Sequence, residues 1–249
     1  MIVGTNSGCG KTTVTCAVLQ ALVNRKINVS SFKCGPDYID PMFHKTVIGT
    51  AAYNLDTYLM SNDAVNYLLN KNSGDIAVIE GVMGFYDGFS FTEKGSTHEL
   101  SEITDTDVIL VVNCRGMSLS AMALVKGFKE FRKNNIKGVI FNNLSEKLYG
   151  NLAEKCRKIG LTPLGFLPNI KDVQISSRHL GLVTAVEIDG IKDKMNLLAD
   201  YAEKYIDIDK ILEISENDRD TKFASPEITK KYNVKIAVAY DRAFCFYYE

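Results

Sequence analysis

The chain has no C-x-x-C pair, no excess of basic charge, and no apolar run near the roughly 18 residues of a membrane-crossing helix. Each absence closes a class of function. Lys plus Arg total 29 against 30 for Asp plus Glu, a net charge of -1, so no basic field marks a nucleic-acid surface. Six cysteines are present (Cys9, Cys16, Cys34, Cys114, Cys156 and Cys245), but none has zinc-site spacing. Most lie in or beside apolar runs, where a free thiol behaves as a small hydrophobe. They are expected to be buried, inert and reduced, in a cytoplasmic protein. A glycine-rich loop starting at the fourth residue leaves no room for a leader, so none is expected. What is present is enough material for a core: 249 residues, 46% hydrophobic, one large domain or one and a half.

Short apolar runs alternate with segments of helical period. Ile2-Val3, Asn28–Cys34, Ile76–Ile79, Val108–Val112, Val139–Phe141 and Pro163–Leu167 are expected strands. After Thr12, the residues Val14, Ala17, Val18, Leu22 and Val23 share one helical face. Strands apolar on both faces and separated by helices predict an α/β sandwich with a mostly parallel sheet. Right-handed crossovers then gather the loops after the strands at one edge, where ligands bind. Helices are expected at Ile191–Tyr205 and at Ile208–Ile214 with Asp207 as cap, followed by a polar loop to Lys231. Val234–Tyr240 reads as one more strand, either opening a second domain or closing the first sheet.

The stretch Gly4-Thr5-Asn6-Ser7-Gly8-Cys9-Gly10-Lys11-Thr12-Thr13 follows the first strand and opens a helix. It departs from the phosphate-loop pattern G-x-x-x-x-G-K-[ST] only in Thr5, which stands where the first glycine belongs. Amides of such a turn and of the following helix N-terminus form an anion cradle. Lys11 can reach the β- and γ-phosphates of a nucleotide, and the Thr12 hydroxyl can bind Mg²⁺. Glu80 closes a parallel strand, as a Walker-B-type metal ligand does. Lys33-Cys34-Gly35-Pro36-Asp37-Tyr38-Ile39-Asp40-Pro41 is a stiff acidic turn on the same edge, and Asp87 adds a fourth acid. Such carboxylates repel one another unless Mg²⁺ and Lys33 offset them.

GTNSGCGKTT, FKCGPDYIDPMFH, YNLDTYL, IEGVMGFYDG, GSTHEL, SSRHLGL and KIAVAYDRAFCFYYE together resemble the cobyrinic acid a,c-diamide synthase family, in order and over nearly the whole chain. The resemblance implies a P-loop NTPase-type, dethiobiotin synthetase-like ATP-binding domain (1–190), a helical connector and linker (191–232), and the first strand of a class I glutamine amidotransferase domain (233–249). That family activates carboxylate arms of a tetrapyrrole with ATP and Mg²⁺, and ammonia from glutamine attacks the acyl phosphate. Cys245 does not match the family's glutaminase nucleophile, so the chain is expected to lack that domain and to depend on free ammonia or on the missing domain. The resemblance assigns Lys11 and Thr12 to phosphate and Mg²⁺, and Glu80 with Asp37 to the metal. It sets Tyr38, Ile39, Asp40 and Asp87 around the substrate carboxylate, and Asn142 against adenine. Ser96 and Thr97 offer hydroxyls and amides to an anion, and Ser177, Arg178 and His179 border the substrate or the missing domain. A homodimer is compatible with it.

Cobyrinate, hydrogenobyrinate and nickel-sirohydrochlorin all carry such carboxylate arms, and the residues do not separate them. A partitioning-type switch ATPase is the alternative from another class. Its extra loop lysine is replaced by Asn6, and no membrane-binding amphipathic tail is evident. A dethiobiotin synthetase is opposed by the GPDYIDP turn and by the run at Val234–Tyr240.

Overall fold

The computed structural model describes residues 1–170, 190–216, 233–241, 244–245 and 247–248. Ser177, Arg178 and His179, and most of the polar loop expected before Lys231, lie outside the described residues. Among the described residues seven strands form one parallel sheet: β1 (Ile2–Gly4), β2 (Val29–Cys34), β3 (Ala51–Leu55), β4 (Ile76–Glu80), β5 (Val108–Asn113), β6 (Ile136–Asn142) and β7 (Thr162–Leu167). Their order is β3-β2-β4-β1-β5-β6-β7. The expected parallel α/β sandwich is therefore what the chain forms.

Strand alternation divides the core. Ile109 and Val111 of β5 face one layer while Leu110 and Val112 face the other. The first layer contains α1 (Lys11–Asn24), which packs against α7 (Ile191–Tyr205) through Val18, Leu22, Met195 and Leu198. Because α1 lies between the sheet and α7, it is buried well beyond its expected stripe; Cys16, Leu19 and Ala21 are also enclosed. The opposite layer uses α3 (Asn62–Asn72), α4 (Thr97–Ile103), α5 (Ser120–Phe131) and α6 (Glu146–Lys158). The short α2 (Ile39–Phe43) runs into a π-type turn at His44–Ile48, and α8 (Ile208–Ser215) starts where Asp207 accepts a hydrogen bond from Lys210 N.

Two readings need correction. Ala51–Leu55 was not expected as a strand, because Ala-Ala-Tyr-Asn-Leu has little apolar contrast. Pairing with β2, from Ser30 opposite Ala51 to Cys34 opposite Leu55, makes it the edge strand. Val234–Tyr240, expected as a strand, joins no ladder among the described residues, and Val234, Ile236, Val238 and Tyr240 are exposed. Alternating apolar residues form a strand only where a neighbour offers its amides and carbonyls. No disulfide joins the six cysteines, and all are buried except Cys245, which is partly exposed. Among the described residues no helix is long and apolar enough to cross a membrane.

Leu198→Ala is expected to lower the unfolding free energy by about 2–5 kcal/mol, since Leu198 is fully enclosed between α7 and α1. Val238→Ser, on a side chain 60% exposed, should change it by less than about 0.5 kcal/mol. Urea midpoints at constant m-value check both, and equal losses contradict this placement of the core and the tail.

Candidate active site

The order of the sheet brings the loops after β1, β2 and β4 to one edge. Gly10 ends the phosphate loop at φ 95°, and a Cβ there would lie 2.0 Å from Asn142 Nδ2. Gly4 is excluded from change by proximity, since a Cβ would meet Cys9 Sγ at 2.3 Å and Lys11 Cγ at 2.6 Å. Thr5 is not among the positive-φ residues, so the position of the usual first glycine does not need glycine here. No side chain caps α1 at Gly10, which leaves its first N–H groups to an anion. Asn6, Ser7 and Gly8 are exposed around that cradle, Cys9 is buried beneath it, and Thr13 is half-buried in the first turn of α1. The Lys11 ammonium, lowered by burial, donates to Met83 O at 2.6 Å and Asn6 O at 3.3 Å.

Register builds the centre of the site. Lys33 of β2 stands directly opposite Glu80 of β4, so their side chains leave the sheet on the same face. Lys33 Nζ lies 2.6 Å from Asp40 Oδ2, 3.0 Å from Glu80 Oε1 and 3.6 Å from Asp37 Oδ2, and donates to Gly81 O at 3.2 Å. The Thr12 hydroxyl donates to the same Glu80 Oε1 at 2.6 Å. A buried sequence of contacts thus runs from the phosphate loop to the acidic turn. Burial lowers the Lys33 ammonium, but Glu80, Asp40 and Asp37 outweigh it and raise the group above its ordinary value. Burial pushes the Glu80 carboxyl up, and Lys33, with His44 and Thr12, more than reverses this and holds it well below the usual range. Asp40 is pushed up to about 8 by burial and by the Glu80 charge, against the pull of Lys33.

The remaining residues have definite places. Asp37 Oδ1 accepts from Ile39 N at 2.9 Å and Asp40 N at 3.3 Å, which starts α2. Asn54, from the unexpected edge strand, donates to Gly35 O at 3.0 Å and Asp37 O at 2.7 Å and so pins the acidic turn. Asp87 is exposed, accepts from Gly84 N at 3.0 Å, and is not among the ion pairs of Lys33. Buried Ser96 caps α4 by accepting from Glu99 N. The Thr97 hydroxyl accepts from Val82 N and donates to Val82 O, holding the loop after β4. Asn142 donates to Cys9 O at 3.0 Å from beneath the phosphate loop.

A cavity of about 720 Å³ adjoins the acidic turn, walled by Pro36, Tyr38, Ile39, Tyr58, Leu59 and Phe89, with Asp56 in its lining. Sequence reasoning did not single out Asp56, a buried carboxylate that accepts from Tyr58 N and Leu59 N and from the Tyr248 hydroxyl at 2.7 Å. Nor did it find the stack of Tyr248 on Tyr38, with centroids 5.2 Å apart. The quoted run YNLDTYL held the signal for Asp56, an acid closing an apolar run on the ligand edge. A second cavity, about 410 Å³, lies at the opposite ends of the strands, lined by Met1, Asp75 and Asp107.

The donor set suits Mg²⁺. Among the described residues no cluster of three His, Cys, Asp or Glu forms a complete cage. Thr12 and Glu80 converge, however, and Glu80 Oε2 is buried with no hydrogen-bond partner. Mg²⁺ takes one or two protein ligands and completes its shell with phosphate and water.

Residues 1–183 match the family described as CobQ/CobB/MinD/ParA nucleotide binding domain. The cobyrinate a,c-diamide synthase of Thermoplasma volcanium is 44% identical over 100% of this chain and 56% of its own length. That of Methanocaldococcus jannaschii is 41% identical over 100% of this chain and 58% of its own length. The chain therefore spans little more than half the length of these relatives. Among solved structures, the MinC:MinD cell division protein complex of Aquifex aeolicus aligns with TM-score 0.52 and 16% identity, over 85% of this chain and 94% of the other. Chloroplast FtsY from Physcomitrella patens aligns with TM-score 0.50 and 14% identity, over 67% of this chain and 57% of the other. Both show the fold alone.

Asp40 supplies a pH test. Its native value is raised from 3.8, so the folded chain binds that proton more tightly than the unfolded one. The stability due to this group is present at acid pH and is lost as pH rises towards 8. Relative to wild type, Asp40→Asn is therefore expected to gain stability steadily between about pH 5 and 8. Urea unfolding across that range measures the difference, and parallel profiles contradict the raised value.

Proposed function

The chain belongs to the CobQ/CobB/MinD/ParA family of nucleotide-binding domains, and on that premise we propose that it is the ATP-dependent, amide-forming part of a cobyrinate a,c-diamide synthase. The observation that carries this reading is the buried path Thr12–Glu80–Lys33–Asp40, which joins a phosphate loop to an acidic turn beside an apolar cavity. The name of the relatives supplies the substrate class. A corrin with carboxylate arms presents a broad apolar ring to walls such as Tyr38, Ile39 and Tyr58, and an arm to the acids.

In the proposed reaction a carboxylate oxygen of the corrin attacks the γ-phosphorus of ATP, and ADP leaves. Ammonia then attacks the acyl carbon, phosphate departs, and the nitrogen loses a proton. Lys11 and the first amides of α1 take the phosphates. Thr12 and Glu80, with Asp37 as the third proposed ligand, would hold Mg²⁺, which would supply charge neutralisation at the phosphate oxygens. Lys33 lets an anionic arm approach a site already crowded with acids. Asp40, with a value near neutral pH, is placed to accept the proton. Asp87, with Ser96 and Thr97, frames the acceptor side through the loop after β4, and Asn142 is assigned the adenine side. Val234–Tyr240 fits the opening strand of a glutaminase unit that supplies the ammonia, which accounts for an apolar run with no ladder of its own.

Lys11→Ala is expected to weaken ATP binding by at least ~2 kcal/mol, through loss of charge-assisted phosphate contacts. Unchanged affinity by calorimetry sinks the nucleotide assignment. Asp40→Asn should keep ATP affinity and lower ammonia-dependent amide formation on cobyrinate about 10²–10³-fold, the usual size of a preorganised electrostatic contribution. Mass spectrometry of the corrin reads the product, and full turnover by Asp40→Asn removes the acidic turn from the chemistry.

A further inference from the structure

His44 follows the acidic turn and opens the π-type turn His44–Ile48, whose Val47 and Ile48 pack into the layer of α1 and α7. The side chain is buried, and neither ring nitrogen meets hydrogen-bond geometry with any described group. One other buried atom in the site shares that condition: Glu80 Oε2. His44 Nε2 lies 3.4 Å from it. Two orphaned buried polar atoms so close together are complementary, because an imidazole ring has an N–H to give and a carboxylate oxygen only accepts. A buried acceptor without a donor is costly, and closing the gap to about 2.9 Å satisfies both atoms.

We infer that His44 is a positioning residue for the metal ligand Glu80. Its Nε2–H donates to Glu80 Oε2 and fixes the plane of the carboxylate, so that Oε1 stays turned towards the Thr12 hydroxyl and Lys33. Without that anchor the carboxylate rotates about its last torsion, and the direction in which it meets a cation is no longer set. Groups that orient a metal ligand from behind commonly change metal affinity 10–100-fold. π-type turns recur at functional sites, and this one places a ring where the regular helix of α2 gives way. The inference rests on the reading of Glu80 as an Mg²⁺ ligand, and the test separates the two.

Mg²⁺ affinity of the ADP-loaded protein and ADP affinity without metal are measured by calorimetry for wild type, His44→Phe, His44→Gln and Glu80→Gln. His44→Phe, which fills the space without a donor, is expected to weaken Mg²⁺ binding tenfold or more. His44→Gln, whose amide restores a donor, should remain within about threefold, and metal-free ADP binding should stay within twofold for both. If His44→Phe retains Mg²⁺ affinity while Glu80→Gln loses it, the positioning role is overturned and the metal site stands. If Glu80→Gln also retains it, the metal reading fails and takes the inference with it. If His44→Phe loses metal-free ADP affinity equally, the ring is only structural and the inference is overturned. Nitrogen-15 spectra of wild type add a readout other than affinity: a proton on Nε2 of His44 is required, and the Nδ1–H tautomer overturns the proposal. With three histidines in the chain, loss of one set of signals in His44→Gln assigns the resonance.

Discussion

The site depends on a buried ammonium. Lys33 is enclosed on β2, where the register with β4 sets it opposite Glu80 and within reach of Asp40, Asp37 and Gly81 O. At 3.0 Å the Lys33–Glu80 attraction is roughly 5.5 kcal/mol at an effective dielectric near 20. Removing each ion from water costs several kcal/mol in return, so the cluster adds little net stability. Its effect is on position. Deleting one partner strands a buried charge at a cost of about 3–5 kcal/mol, which fixes Glu80 and Asp40 relative to the sheet.

From that constraint the electrostatics of the edge follow. Three carboxylates face one ammonium, so negative charge is in surplus. Glu80, held by Lys33, His44 and Thr12 together, stays ionised, and burial with the Glu80 charge raises Asp40 to about 8. Two acids driven apart in this way are the usual sign of divided acid and base roles. Anchoring of Glu80 by Thr12 connects the phosphate loop to Asp40 of the acidic turn through three side-chain contacts, Thr12–Glu80, Glu80–Lys33 and Lys33–Asp40.

Much of this was legible in the sequence, for physical reasons. The phosphate loop is local: strand, glycines, lysine and helix lie within a dozen residues. The central strands β4 and β5 carry nearly unbroken apolar runs, and α7 has a clear helical period ending at Tyr205. What was missed is what non-local pairing decides. β3 has almost no apolar signature and exists because β2 offers it an edge, yet its Asn54 holds the acidic turn. His44 reads as a lone histidine, and its importance appears only when the fold brings it to Glu80, thirty-six residues away. The bonds that Ser96, Thr97 and Asn142 make to the backbone at Glu99, Val82 and Cys9 are likewise set by packing and could not be read from spacing. The Val234–Tyr240 pattern states a strand's propensity and says nothing about a partner.

In the proposed reaction ATP activates a carboxylate at this edge of the sheet before nitrogen arrives. Positional isotope exchange tests it directly, using ATP carrying oxygen-18 in the β,γ-bridge, with cobyrinate and no ammonia. Reversible acyl-phosphate formation frees the β-phosphate of ADP to rotate, so the label should migrate into the β-nonbridging positions only when cobyrinate is present, and Lys33→Met should abolish the migration. Hydrolysis of ATP at an undiminished rate with no migration, or migration independent of cobyrinate, contradicts the claim.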